Sequence, residues 1–250
     1  MVRNILDCTM DHTYSGLPDL VAIKFRSKKD TTTVVTNTED NSLIINGTFK
    51  TPMTKTPCTF GCMRLDVLQS CLKFDLFSDE KNGKLEFQYK NDIPYSLIFK
   101  SDYGHSAEYR LTPESKIEEV VQFDHIDFDD WSIVTDVHDM LYNHFKQVSV
   151  SFAKTDGKFY IKNGNDGYLY FVVGGYGADG MEFPVLECNS RWNSSFRWPI
   201  KNFNSVMRQC AGASRIEISL AEKMGLMKLE PFYDDGSKWQ YYLMAAKSDE

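Results

Sequence analysis

The sequence predicts an α+β protein in which a few short helices cover one face of antiparallel β-sheets. Three observations favour this class. The 250-residue chain has about four stretches with the helical spacing of apolar residues and many more with strand-like alternation. Tight turns join neighbouring strand-like stretches, which is typical of hairpins. The stretches also recur in a fixed order, roughly β-α-β-β-β, with two copies in each half of the chain.

The composition is that of a globular chain of one or two domains. Hydrophobic residues make up 42% of the chain and charged residues 25%, with 17 Phe and 13 Tyr, so disorder is not expected. No apolar run approaches the roughly 20 residues of a membrane-spanning helix, and we expect neither a membrane partner nor a secretory signal. The net charge of −7 at first argues against a nucleic-acid partner.

The first repeat is the least clear of the four. Residues 17–29 are predicted as a helix, although residues 21–25 within them equally suggest a strand. Strands are expected at 31–36 and 42–49, paired across a turn at 39–41.

The second repeat contains a helix at 64–74 whose inward face is formed by three leucines: Leu65, Leu68 and Leu72. The strands expected in this repeat lie at 58–62, 74–77, 84–89 and 95–99, with a turn at 82–83.

The third and fourth repeats follow the same order. Helices are predicted at 137–147 and 199–209, the second beginning at Pro199, a residue tolerated in the first helical turn, and ending before Gly212. Strands are predicted at 148–152, 158–161, 168–173, 214–220, 225–229 and 240–244, with a hairpin turn at 156–157.

The halves divide at an acidic segment. Residues 111–130 contain seven acids and one lysine, and Pro113 interrupts regular structure there. We therefore expect an N-terminal domain at 1–112, a connector at 113–130 and a C-terminal domain at 131–250.

Motifs for catalysis or cofactors are weak. The run 175–180 matches G-x-G-x-x-G, but Pro184 lies where a dinucleotide site needs the first turn of a helix, so we interpret it as a loop between strands. The six cysteines lack the spacing of a zinc site and are expected to be reduced thiols. We expect no enzyme activity, no cofactor and no metal.

The predicted helices carry a positive charge that the average conceals. Residues 17–29 have three positive charges in excess, 64–74 one, 137–147 none and 199–209 two. These six positive charges leave thirteen negative ones on the rest of the chain, given the net charge of −7. The acidic balance therefore does not exclude DNA.

This organisation resembles that of the DNA sliding clamps, which also have two similar domains and basic helices on an acidic body. The residues 238–247, which include Tyr241-Tyr242-Leu243, are similar to the closing strand of the cellular clamps of the proliferating cell nuclear antigen type. The family has a proline where this chain has Ala245-Ala246. Residues 66–99 look more like clamps of large tailed phages, so a phage or other viral source is expected.

The resemblance implies a homotrimeric ring, the DNA clamp fold, that encircles double-stranded DNA without reading its sequence. Basic side chains on the helices would contact phosphates. The candidates for these contacts are Lys24, Lys28, Arg64, Lys73, Lys146, Lys201 and Arg208.

The resemblance also implies a groove that binds short peptides of the DNA polymerase and the clamp loader, beneath the connector and beside the C-terminal strand. Its candidates are Val121, Phe123, Ile126, Phe128, Tyr242, Leu243, Met244 and Ala245. The alternative is that the apolar connector residues only fix the connector to the body.

A second interpretation is a β-rich virion or carbohydrate-binding protein without a DNA role, in which aromatic residues of the loop 191–198 would stack on sugars. The clamp interpretation places the protein inside the cell, in the host cytoplasm for a phage and in the nucleus for a eukaryotic virus or cell.

Overall fold

A computed structural model describes residues 2–15, 17, 19–78, 83–124, 126, 128–137, 142–147, 157–174, 180–234 and 237–246. The chain forms two compact units. Unit 1 contains Met1–Glu39 and Ile45–Ile126, and unit 2 contains Asp40–Ile44 and Asp127–Glu250.

Unit 1 has four described helices and eight strands. The helices are α1 (Val2–His12), α2 (Leu65–Lys73), α3 (Asp75–Ser78) and α4 (Glu114–Val120). The strands are β1 (Leu20–Ser27), β2 (Thr32–Thr38), β3 (Leu43–Phe49), β4 (Cys58–Cys62), β5 (Gly83–Lys90), β6 (Ile93–Ser101), β7 (Ser106–Arg110) and β8 (Thr112–Pro113).

Strand β1 lies in the middle of the first sheet of unit 1. The strand order there is β8-β4-β1-β2-β3, and β1 is antiparallel to both of its neighbours. Phe25 pairs with Phe60 of β4, and their rings stack with centroids 5.3 Å apart. Strand β1 is buried almost continuously instead of alternating, which requires that side chains on both faces of the sheet be covered.

The second sheet of unit 1 has the order β5-β6-β7 and is covered by helices α1, α2 and α3. Helix α1 directs Ile5, Leu6 and Met10 into the core, and α2 directs its three leucines inward as the spacing predicted. The arginine of α1, Arg3, donates to the carbonyl of Leu72 at 2.8 Å and to that of Phe77, which satisfies carbonyls at the ends of α2 and α3.

Three predictions in unit 1 are wrong. Residues 17–29 do not form a helix, since 20–27 are strand β1, the alternative that the sequence left open. Residues 74–77 are not a strand, since 75–77 belong to helix α3 and Phe74 directly precedes it; Phe77 is buried and Phe74 exposed. Helices α1 and α4 were not anticipated; four residues of the connector segment, Glu114, Lys116, Glu118 and Glu119, are exposed on α4 around the buried Ile117.

Unit 2 has two described helices and eight strands. The helices are α5 (142–147) and α6 (Ile200–Gln209). The strands are β9 (Ile133–Asp136), β10 (Lys158–Asn163), β11 (Tyr168–Val173), β12 (Met181–Glu187), β13 (Arg197–Pro199), β14 (Arg215–Ala221), β15 (Leu226–Phe232) and β16 (Lys238–Met244).

Two antiparallel sheets form the body of unit 2, with the orders β16-β15-β14-β9 and β12-β11-β10-β13. An aromatic cluster joins the second sheet to its helices. The ring of Phe145 in α5 lies edge-on within 6 Å of the rings of Phe159, Phe171, Phe183 and Phe203. Phe203 comes from α6, so this cluster packs both helices against the sheet.

The structure agrees with most predicted elements of unit 2. Helix α6 and strands β10, β11, β14, β15 and β16 occupy their predicted positions. The strand at 148–152, the N-terminal part of the helix at 137–147 and residue 156 of the hairpin turn lie outside the described residues.

These features confirm the α+β class with antiparallel sheets and short helices. In the part of the chain that the structure describes, no helix is long and apolar enough to cross a membrane. All six cysteines are free thiols.

Candidate functional site

Helix α6 separates its apolar and basic residues onto two faces. Phe203 and Val206 are fully buried, whereas Lys201 and Arg208 are exposed. Residues seven apart lie on the same side of a helix, so these two cations share one face. Arg208 donates from Nη2 to Ser205 Oγ at 3.0 Å, which restrains its guanidinium. No acid lies on α6, and its exposed face is basic.

Helices α2 and α5 also expose cations. Arg64, directly before α2, is exposed, with its guanidinium carbon 6.0 Å from the ring centroid of Tyr109. Lys73 is exposed at the end of α2, where a cation interacts favourably with the helix dipole. Lys146 is exposed on α5 beside the buried Phe145. Five of the seven predicted DNA-contacting cations therefore lie on or next to helices.

The other two predicted DNA contacts do not lie on a helix. Lys24 is in strand β1 and is only 4% exposed, with its Nζ 3.1 Å from the carbonyl oxygen of Val121 and 3.2 Å from Asp124 Oδ1. Lys28 follows the end of β1 in a turn closed by a hydrogen bond from its own N–H to the carbonyl of Thr31. Lys24 and Lys28 were expected on a DNA-facing helix. This prediction is wrong, because the first helix of the chain is α1 and residues 20–27 form strand β1.

The division of charge changes with this correction. Residues 17–29 supplied half of the positive excess, and they form no helix. Helix α1 contains Arg3, which pairs with Asp7, and a second acid, Asp11. Summed over the described helices α1 to α6, the formal charge is −1, so the positive excess expected of the helices as a group is absent. Helix α6 has two positive charges in excess and α5 has one, whereas α2 is neutral and α1, α3 and α4 are acidic.

The apolar side chains of the connector in unit 1 are buried or half-buried. Val121 is fully buried, with its N–H bonded to the carbonyl of Ile117, and it has no side-chain surface for a partner. Phe123 and Ile126 are half-buried. For Val121 the structure favours the alternative interpretation, in which the side chain fixes the connector to the unit.

In unit 2, three aromatic residues and a lysine form a compact cluster that we call the Trp131 patch: Phe128, Trp131, Tyr242 and Lys228. Phe128 and Trp131 are half-buried, whereas Tyr242 is only 2% and Lys228 only 9% exposed, so the accessible part of the patch is formed by Phe128 and Trp131. The rings of Phe128 and Trp131 meet edge-on with centroids 4.8 Å apart, and Trp131 stacks on Tyr242 at 6.5 Å. Lys228 Nζ lies 5.3 Å from the Trp131 ring centroid, a cation–π geometry. The indole N–H donates to the Phe128 carbonyl at 2.8 Å, which orients the ring.

A polar network supports the Trp131 patch from below. Lys228 Nζ and Gln240 Nε2 both donate to Glu230 Oε2 at 2.9 Å, and the hydroxyl of Tyr242 donates to Gln240 Oε1 at 3.1 Å. Burial by itself would raise the pKa of Glu230, but the hydrogen bonds from Gln240 and Lys228 outweigh burial and lower it. Glu230 is therefore ionised at neutral pH and fixes Lys228 under Trp131.

The C-terminal run is held mainly through its backbone. Leu243 is fully buried, while Met244 and Ala245 are half-buried. The N–H of Met244 donates to the carbonyl of Ser42 at 2.9 Å, and that of Ala245 to the carbonyl of Gly225 at 2.8 Å. Of the predicted groove residues, the structure brings Phe128 and Tyr242 together.

Trp131, whose ring contacts the rings of both Phe128 and Tyr242, was not among the predicted site residues. Neither was Lys228, which lies against the Trp131 ring. Trp131 directly follows the acidic connector, and a large aromatic residue there is the sequence signal that was available. Lys228 gave no signal, because its position under Trp131 depends on the register between β15 and β16, in which it pairs with Tyr242.

No cofactor or metal geometry is present among the described residues. They contain no group of three or more His, Cys, Asp or Glu side chains placed to hold a metal ion. Burial raises the pKa of the Cys62 thiol to about 12, which suits a structural and not a nucleophilic cysteine. Strand β12 follows the glycine-rich run, where a dinucleotide site needs a helix; residues 175–179 lie outside the described part.

Each unit contains a sheet that ends in an edge strand. In unit 1, β7 forms one edge of the β5-β6-β7 sheet, and in unit 2, β12 forms one edge of the β12-β11-β10-β13 sheet. Edge strands present backbone donors and acceptors that pair readily with another strand.

Comparison with known proteins identifies the fold. No family model and no curated protein matches the sequence. Among solved structures, the chain is similar to A. fulgidus PCNA, in a structure with the C-terminal region of FEN-1 bound. The similarity covers 100% of this chain and 98% of that chain, with a TM-score of 0.67 and 14% sequence identity. The predicted DNA clamp fold is therefore confirmed.

Proposed function

We propose that this protein is a DNA sliding clamp, a non-catalytic ring that encircles double-stranded DNA and tethers a DNA polymerase. The observation that carries this proposal is the clamp fold over the whole chain, combined with cations exposed on helices of both units. Such cations suit a clamp because phosphate contacts attract the duplex without reading its sequence. The proposed phosphate contacts are Arg64, Lys73, Lys146, Lys201 and Arg208.

The proposed ring is a homotrimer. Edge strands β7 and β12 lie in different units, so pairing β7 of one copy with β12 of the next would be a head-to-tail contact. Such contacts generate closed rings when the rotation between copies closes. Backbone pairing of this kind requires no particular side chains, which is compatible with a sequence only 14% identical to its structural neighbour.

The proposed partner site is centred on the Trp131 patch. Aromatic residues next to a cation are typical energetic centres of protein interfaces. The A. fulgidus protein was solved with a partner segment bound, and we propose that the polymerase and clamp loader present comparable short segments to this chain. Met244 and Ala245, both half-buried in unit 2, are proposed to contribute to this site, and Phe123 and Ile126 of unit 1 remain candidates.

The carbohydrate-binding interpretation loses its main support. It relied on aromatic residues in the loop 191–198, but Trp192 is 3% exposed and Trp198 is fully buried. Neither indole is accessible for stacking on a sugar.

Solution mass tests the ring directly. Light scattering of the purified protein at micromolar concentration should give about 86 kDa, three times the 28.8 kDa of one chain. A mass near 29 kDa at these concentrations would contradict a stable ring.

Charge neutralisation tests the DNA surface. The double substitution Lys201→Ala/Arg208→Ala should weaken duplex binding and reduce the slope of log affinity against log salt by about 0.9 for each phosphate that is no longer neutralised. The matched control is Lys162→Ala/Lys223→Ala, which removes the same charge from strand β10 and from the turn between β14 and β15. Equal weakening by both pairs would contradict the assignment to α6.

A further inference from the structure

Lys24, the buried lysine of strand β1, holds residues 121–124 of the connector. Lys24 donates to the carbonyl of Val121 and to the carboxylate of Asp124, about a hundred residues later in the chain. Its side chain is 4% exposed, and a buried ammonium is costly unless it is paired and hydrogen-bonded. The environment of Lys24 is therefore favourable only while residues 121–124 are in place.

A second cation on the same face of β1 reinforces this contact. Residues two apart in a strand point to the same side, and Arg26 Nη2 lies 3.0 Å from Asp124 Oδ1 and 3.6 Å from Glu118 Oε1. The hydrogen bond from Lys24 is the main cause that lowers the pKa of Asp124. We call Lys24, Arg26, Glu118 and Asp124 the connector latch.

Helix α4 is fixed independently by close packing on strand β4. Ile117 is fully buried, and a Cβ atom at Gly61 would lie 2.2 Å from Ile117 Cγ1. Only glycine allows the helix this close an approach. The helix and the latch together fix 114–124 to the β4-β1 part of the sheet, at two points with different chemistry.

We propose that Lys24 is a positioning residue for partner binding. It anchors residues 121–124 and so fixes the point from which the rest of the connector continues. The role in partner binding rests on the proposed function, whereas the anchoring does not. Pre-organising a binding segment raises affinity because less conformational freedom is lost on binding.

Hydrogen–deuterium exchange on the unliganded protein tests the anchoring. Lys24→Met keeps most of the side-chain volume and removes the charge, and it should accelerate exchange at amides 118–126 by about tenfold, as expected for a loss of 1.4 kcal/mol. Lys116→Met, on the exposed side of α4, is the matched control and should leave these rates unchanged. Unchanged exchange in Lys24→Met would overturn the proposal.

The pairing within the latch has its own test. Asp124→Asn changes a 66%-exposed side chain and should fold even if Lys24→Met does not. It should accelerate exchange over the same residues, and the acceleration in the double variant should be smaller than the product of the two single effects, because both variants remove the contact between Lys24 and Asp124. Fully additive effects would show that the two side chains do not act together.

Partner binding separates this inference from the proposed function. The probe is a fluorescent peptide of the C-terminal region of FEN-1, the segment bound in the structural neighbour. Lys24→Met should bind it several-fold more weakly, and Lys116→Met as well as wild type. Faster exchange with unchanged affinity would overturn the positioning role. If the wild-type protein does not bind the peptide, the proposed partner site fails, and exchange alone decides the anchoring.

Discussion

Glu230 is a carboxylate whose charge depends on its hydrogen bonds more than on its burial. It accepts from Lys228 and Gln240, and Lys238 Nζ lies 3.4 Å from its other oxygen. The folded pKa lies below the ordinary value of 4.5. Stabilisation by ionised Glu230 is therefore present above pH 4.5 and is lost as the pH falls through the folded pKa.

We expect Glu230→Gln to lower the free energy of unfolding at pH 7 by roughly 1–3 kcal/mol, the range for hydrogen bonds to charged groups. At pH 3 the difference from wild type should be smaller, because the stabilisation by ionised Glu230 decreases once the pH falls below 4.5. Urea titrations of both proteins at pH 7 and pH 3 measure this difference in the free energy of unfolding. Glu119→Gln, exposed on α4, should have little effect at either pH, and an equal loss at both would contradict the role of ionisation.

Residue identity alone did not reveal which lysines are exposed. Lys24 and Lys201 each directly follow an isoleucine in the sequence, yet Lys24 is buried and Lys201 is exposed. The difference arises from Asp124 and Val121, which β1 meets only when the chain has folded. Contacts this distant leave no local pattern, so a charge count over predicted helices includes cations that face no solvent.

At the scale of elements, prediction succeeded where the local pattern and the tertiary environment agree. Helix α6 combines Pro199 before its first residue, a mainly apolar inward face and Gly212 beyond its end. Strand β1 failed as a prediction because its nearly continuous burial lacks strict alternation. Helix α1 was missed although Ile5, Leu6 and Met10 have helical spacing, since only two full turns carry the pattern.

Helix α5 is attached to the rest of unit 2 by two buried aromatic residues, of which Phe145 makes more ring contacts than Tyr142. Phe145 contacts four other phenylalanine rings from β10, β11, β12 and α6 and is fully buried. Phe145→Ala should lower the free energy of unfolding by about 3–5 kcal/mol through the cavity that it leaves. His144→Ala, exposed on the same helix, should change stability by less than about 0.5 kcal/mol. Denaturant unfolding compares the two, and equal effects would contradict the packing role.

At the scale of the whole molecule, a trimer would link stability to concentration. If three copies bury edge strands against one another, dissociation accompanies unfolding, and the melting temperature rises with protein concentration by mass action. Differential scanning fluorimetry between about 1 and 100 µM would measure this. A melting temperature independent of concentration would favour a monomer, in which β7 and β12 remain open.

The overall architecture was more predictable than the sites placed on it. Alternating strands, tight turns and the repeat order are local features, and they were sufficient for the α+β class, while the clamp fold followed from the resemblance to the sliding clamps. The Trp131 patch brings Tyr242 against the sequence neighbours Phe128 and Trp131 from a distant part of the chain, and its details required strand register.

The four tryptophans differ in exposure, so the intrinsic fluorescence of the protein can report on one of them. Trp192, Trp198 and Trp239 are at most 3% exposed, whereas Trp131 is half-buried in its patch. Solvent quenchers such as iodide should therefore reach Trp131 in preference to the other three. The emission of Trp131 would report occupancy of the patch in unlabelled protein. The variant Trp131→Phe would give the background emission of the other three tryptophans.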